Sequence, residues 1–244
     1  MSKLSDEMIV FHHLPKTGGT SLINALREKI DRKSVLHYTP ENDTFLPRNI
    51  VTDVKYRTPT RIRTLVQPLI NHLGTPEKIG REVDRQQLAP EGIKLIEGHF
   101  FANQIGNLDL GREIVRIAIV RDPLERAVSQ YDHFVRSRGV AAFISDEASH
   151  PEDINLEDYI LHGDYTNLQT RMLEGRSDYH FGTTERLDLL VQSLGLAGVG
   201  IYNQGYNRTT TANLRADVVE AFIDANLEDY ELYEHAREQE LVIF

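Results

Sequence analysis

The sequence contains no cysteine. That excludes disulfides, thiolate zinc sites and a thiol nucleophile. Long apolar runs are also missing, since no stretch approaches the ~20 apolar residues of a membrane span. The opening "MSKLSDEMIVFHH" lacks the apolar core of a signal peptide. The resulting expectation is a soluble cytoplasmic protein, in which the sequons at Asn42 and Asn207 carry no meaning as glycosylation sites. Positive charge is scarce, with 27 Lys and Arg against 37 Asp and Glu and a formal net charge of −10. This argues against general binding to nucleic acid or acidic membrane, while leaving room for a local basic pocket. Nor is there any Gly-Lys dipeptide, so the nucleotide loop G-x-x-x-x-G-K-[ST] is absent.

What is present reads as a single domain over residues 1–244. A chain of this length buries roughly three-quarters of its unfolded surface. Short apolar runs bounded by turn residues predict strands at 8–13, 34–38, 93–99 and 113–120. Helical spacing follows at 20–30, where Leu22, Ala25, Leu26 and Ile30 share a face. Further helices are predicted at 60–74, 76–88, 121–138, 155–162, 184–195, 215–225 and 228–240. The last of these would pack through Leu227, Tyr230 and Tyr233. Residues 40–60 look irregular. Strands alternating with helices imply a three-layer α/β domain around a mainly parallel sheet, with a helical C-terminal region.

The first strand runs into "HHLPKTGGTSL" (residues 12–22) and then into a helix. Strand, glycine turn and helix in that order point the helix's leading N–H groups at whatever occupies the turn. Gly18 and Gly19 permit close approach and positive φ. Thr17, Thr20 and Ser21 add hydroxyls, and Lys16 adds a full positive charge. The combination suits a phosphate, although the same residues would also make an ordinary capped turn. The layout recurs in "IVRDPLERAVSQYDHF" (residues 119–134). There Arg121 ends a strand, Asp122 and Pro123 start a helix, and Ser129 lies two turns in, at the border of a face made by Leu124, Ala127, Val128 and Tyr131. An arginine offers a rigid fork for phosphate oxygens, or serves equally as a surface or ion-pair residue.

"PKTGGTSL" resembles the 5′-phosphosulfate-binding loop of sulfotransferases, particularly the carbohydrate branch of heparan and uronyl 2-O-sulfotransferases and their bacterial relatives. "RDPLERAVSQY" and "GHFF" extend the likeness, which runs from residue 8 to about residue 235. The resemblance implies a P-loop-like fold and transfer of a sulfuryl group from 3′-phosphoadenosine 5′-phosphosulfate (PAPS) to an acceptor hydroxyl. Transfer would be in line, with no metal and no covalent intermediate. The resemblance also implies that Lys16 reaches the 5′-phosphate and the oxygen bridging to sulfur, within a cradle of Thr17, Gly18, Gly19, Thr20 and Ser21. Arg121 and Ser129 would take the 3′-phosphate, with Arg208 and Thr209 of "GYNRTTT" as further contacts. His99, beside Gly98 at a strand end, would be the base, and Glu97 is the alternative because other branches use a glutamate. His12 and His13 are expected to be structural, and Thr183, Thr184 and Glu185 to form a helix start. The basic stretch 48–65, with Arg48, Lys55, Arg57, Arg61 and Arg63, reads as a solvated helix entry with local salt bridges; it also falls in the family's variable substrate region, where part of it would guide an anionic acceptor.

The implied acceptor is a carbohydrate or small molecule, and neither its identity nor the oligomeric state can be read from the sequence. Two other classes stay open. One is a P-loop nucleotide kinase or NTPase, which would need Mg²⁺ and a lysine placed differently. The other is a non-catalytic module that binds an adenosine bisphosphate or an anionic glycan.

Overall fold

The computed structural model describes residues 7–31, 34–39, 44–47, 92–102, 113–136, 155–163, 166–174, 178–194 and 213–242. The helices predicted at 60–74 and 76–88, the basic stretch 48–65, and Arg208 and Thr209 lie outside the described residues.

The apolar run Met8–His12 forms β1, buried along its whole length. The Pro-Lys-Thr-Gly turn then leads into α1 (Gly19–Lys29). Next come β2 (Val35–Thr39), β3 (Thr44–Pro47), β4 (Leu95–Gly98) and β5 (Ile114–Val120). The Asp-Pro start opens α2 (Pro123–Arg136), where the Asp122 carboxylate accepts the Glu125 N–H at 2.9 Å. The remaining elements are α3 (Leu156–His162), α4 (Leu168–Leu173), β6 (His180–Thr183), α5 (Leu187–Ser193), α6 (Ala216–Ala225) and α7 (Leu227–Val242).

The strands form one sheet in the order β3-β2-β4-β1-β5-β6. Every neighbouring pair runs parallel except β2 and β3. The α/β architecture with a mainly parallel sheet is thus present, with helices following it. Two strands and one helix were not expected: β3, inside the stretch read as irregular, β6, and the short α4. Pro47 sits opposite Leu36 on the outermost strand, where its missing N–H is tolerated.

Side chains alternate across the sheet with period two. Ile9, Phe11, Val35, Leu95, Ile117 and Ile119 face α1 and α5, meeting Leu22, Leu26, Leu187 and Leu190. Leu14, Ala118, Val120 and Phe181 face the opposite way, against Tyr159, Leu168, Met172 and Ala236 of α3, α4 and α7. In α7 the inward positions are Asp229, Leu232, Tyr233 and Ala236, whereas Leu227 is 54% exposed. Leu227 therefore corrects the expected packing face. It stands at the first residue of the helix, outside the i, i+3, i+7 row that meets the sheet.

Candidate functional site

β1 and β5 are neighbours, but the chain leaves β1 toward β2 and leaves β5 toward β6, in opposite directions. The crevice beyond their carboxyl ends is a topological switch point, the place where open α/β sheets bind ligands. The turn holding Lys16, the Arg121 position and His99 after β4 all stand at this edge.

The first turn is held by its own side chains and by a neighbour. The buried Thr17 hydroxyl donates to the Leu14 carbonyl at 3.0 Å, so it braces the turn from inside. Thr184, just beyond β6, donates its hydroxyl to the Thr17 carbonyl at 2.9 Å and to the Val120 carbonyl at 3.3 Å. Lys16 has φ 68° and Gly18 φ 82°. Glycine adopts that left-handed region readily, whereas a lysine there costs about 1–2 kcal/mol. Gly18 has no side chain to cap α1, and the helix carries no acidic residue in its first turn. Gly19 is required by its neighbour, because a Cβ there would run into the His13 ring. Thr20 is exposed and Ser21 half-buried.

The second turn meets the first. Arg121 Nη1 donates to the Lys16 carbonyl at 3.3 Å. Its Nη2 and Nε donate to Glu125 Oε2 at 2.9 and 3.3 Å, an i,i+4 pair along α2. The Arg121 main chain is gripped by Gln169, whose Oε1 accepts its N–H at 3.0 Å and whose Nε2 donates to its carbonyl at 2.9 Å. Carboxylates crowd this corner. Burial raises the Asp122 pKa, against the pull of the Glu125 and Leu124 N–H groups that it accepts, and the Glu125 and Glu185 carboxylates add to the rise. Ser129 is half-buried on α2, at the border of the face made by Leu124, Ala127 and Val128.

His99 follows Gly98, whose φ is 149°. Its Nδ1 is hydrogen-bonded to the His13 carbonyl. A carbonyl only accepts, so Nδ1 carries the proton, and in the neutral ring Nε2 is the basic nitrogen. The His13 ring stacks on the His99 ring, with centroids 4.3 Å apart and planes 28° apart. Burial holds His13 well below the usual 6.5, and neighbouring His99 lowers it further. His13, expected to be structural, thus packs against both His99 and Gly19. His12, also expected to be structural, lies in the core. It is fully buried, with Nδ1 2.7 Å from the Tyr179 hydroxyl.

Glu97, the alternative base, points to the α1 face of the sheet. It is 0% exposed and ion-paired with Arg27, and His37 Nδ1 lies 3.2 Å from its Oε1. Burial works to raise its pKa, but His37 and Arg27 outweigh that and hold it below the ordinary carboxylate range. A buried carboxylate kept ionised in this way is a poor general base.

The sequence reading missed Gln169 and the bracing role of Thr184. No residue pattern flags a side chain that bonds only to distant main chain. Among the described residues, no helix is long and apolar enough to cross a membrane. No protein-family model matches this chain, and no curated protein matches it.

Proposed function

We propose that this chain is a sulfotransferase with a P-loop-like fold, moving a sulfuryl group from PAPS to an acceptor hydroxyl, in first place on a carbohydrate. The observation that carries this reading is the joining of two cationic turns at the switch point, with Arg121 Nη1 donating to the Lys16 carbonyl at 3.3 Å. One nucleotide with phosphates at both ends fits a pair of cations held in that way. Lys16 and the leading amides of α1 would take the 5′-phosphate, and Arg121 with Ser129 the 3′-phosphate.

In the reaction the acceptor oxygen forms a bond to sulfur while its proton passes to Nε2 of His99. The bond from sulfur to the bridging oxygen breaks, and its electron pair stays on the 5′-phosphate. Lys16 stabilises the charge that grows there, which is where a fixed cation accelerates the step. The tautomer imposed by the His13 carbonyl supports His99 as the base.

The test compares ligands and variants. Adenosine 3′,5′-bisphosphate should raise the melting temperature more than 5′-AMP does. Arg121→Ala should abolish that difference, since a charge-assisted hydrogen bond contributes about 1.5–3 kcal/mol, or roughly tenfold to a hundredfold in affinity. His99→Ala should keep nucleotide affinity and lose about 10²–10⁴ in turnover of PAPS. Equal shifts from both nucleotides would remove the second anion site, and near-normal turnover would remove His99 as base.

A further inference from the structure

Gln169 lies in the first turn of α4 with 1% of its surface exposed, amid the apolar side chains of Leu168, Met172 and Leu173. A buried amide needs partners for both of its ends, or it costs about 1–3 kcal/mol for each group left unmade. Here both ends go to one residue, the N–H and carbonyl of Arg121. Main-chain donor and acceptor cannot exchange roles, so the amide has a single allowed orientation. The two bonds reproduce the exchange made by facing residues of an antiparallel ladder. They occur one residue past the end of β5, after Thr184 N–H has met the Val120 carbonyl at 3.0 Å.

Gln169 is itself anchored from the far end of the chain. Its N–H donates to Asp229 Oδ2 at 3.1 Å, and the Thr170 N–H donates to Oδ1 at 2.7 Å. Asp229 is fully buried at the start of α7. Its own N–H donates to Asn167 Oδ1 at 3.2 Å, and the Asn167 N–H donates to Asn226 Oδ1 at 3.0 Å. Hydrogen bonds thus run continuously from α7 through α4 to the main chain of Arg121.

We infer that Gln169 is a positioning residue, fixing the Arg121 main chain so that the guanidinium meets the 3′-phosphate of a nucleotide. The inference rests on the anion-binding role given to Arg121 above. A fork that bonds two oxygens at once is sensitive to displacements of about 1 Å, and the Arg121 backbone has Gln169 as its brace.

The experiment titrates adenosine 3′,5′-bisphosphate and 5′-AMP into the wild type, Arg121→Ala, Gln169→Met and Gln169→Glu, with melting curves to verify folding. Gln169→Met keeps the volume and removes both bonds. It should weaken the bisphosphate at least tenfold and leave 5′-AMP within twofold. Gln169→Glu keeps the acceptor for the Arg121 N–H and loses the donor to its carbonyl. It should fall in the same direction by a smaller factor, and it decides the matter should the methionine variant fail to fold. In turnover of PAPS the loss should appear in the KM for the donor rather than in kcat. If Arg121→Ala binds the bisphosphate as the wild type does, the reading of Arg121 falls and takes this inference with it. If Arg121→Ala is weakened but the Gln169 variants match the wild type, or lose both nucleotides equally, this inference alone is overturned.

Discussion

Gly19→Ala probes the site where the first turn touches the histidine pair. Gly19 opens α1, and its backbone lies outside the left-handed region that Gly18 and Gly98 occupy. Alanine is therefore conformationally acceptable there and, in a helix, favoured over glycine by about 0.5–1 kcal/mol. Opposing this is the His13 ring, whose Nε2 would lie 2.6 Å and Cγ 3.1 Å from the new methyl carbon. The ring has little room to retreat, since it stacks on His99 at 4.3 Å and on Phe11 at 5.7 Å. Overpacking of this kind costs about 1–3 kcal/mol, so Gly19→Ala should destabilise by roughly 0.5–2 kcal/mol net. In a His13→Ala background the obstruction is gone, and the same substitution should stabilise by about 0.5 kcal/mol. Urea unfolding of the four proteins in this cycle measures the sign change and a coupling of about 1–2.5 kcal/mol. Equal costs in both backgrounds would show that His13 is not what excludes a side chain at position 19.

Lys16 at φ 68° predicts that Lys16→Gly is more stable than Lys16→Ala by about 1 kcal/mol, although both lose the ammonium; indistinguishable urea midpoints would count against the left-handed turn. Glu125 occupies Nη2 and Nε of Arg121, so Glu125→Gln should tighten binding of adenosine 3′,5′-bisphosphate. The pair is partly exposed and worth about 0.2–1 kcal/mol, which sets the gain at up to fivefold at low salt; unchanged or weaker binding would mean that Glu125 does not compete with the ligand. Stability should also fall with acid through His13, because the folded protein accepts this proton at lower pH than the unfolded chain, whose value is the usual 6.5. The contribution is complete above that value and is lost as pH falls below it, by up to ~1.4 kcal/mol per pH unit. Unfolding free energies between pH 7 and 5 should therefore slope less steeply in His13→Ala, and an equal slope would disprove the linkage.

The parallel core was legible because β1, β4 and β5 are apolar runs ended by turn residues, and because glycine or Asp-Pro opens the helices that follow β1 and β5. The short strands β3 and β6 carried no such signal. "HFGT" contains a glycine, and becomes β6 through its register with Ile117–Val120 and through the close approach of Leu190 to Gly182. The six residues of α4 begin and end beside left-handed Asn167 and Glu174, and its leading N–H groups are capped by Asp229, 60 residues away. Hydrophobicity also misranked α7, where Leu227 faces outward and the charged Asp229 is fully buried. Asp229 is inside because it caps another helix, a role that local periodicity cannot reveal.

The same distinction explains which parts of the site could be read. Lys16, His99 and Arg121 each follow a recognisable strand, so their place at one edge of the sheet follows from local pattern. The ties that set their geometry are of another kind. Thr184 bonds to the carbonyls of Thr17 and Val120, Arg121 to that of Lys16, His99 to that of His13, and Gln169 to both main-chain groups of Arg121. Every residue has a carbonyl, so nothing at the accepting position announces the contact. A strained conformation persists only where its surroundings over-determine it, and the turn bearing Lys16 is fastened from Leu14, Arg121 and Thr184 at once. A left-handed lysine can be carried there because three independent tethers oppose its relaxation.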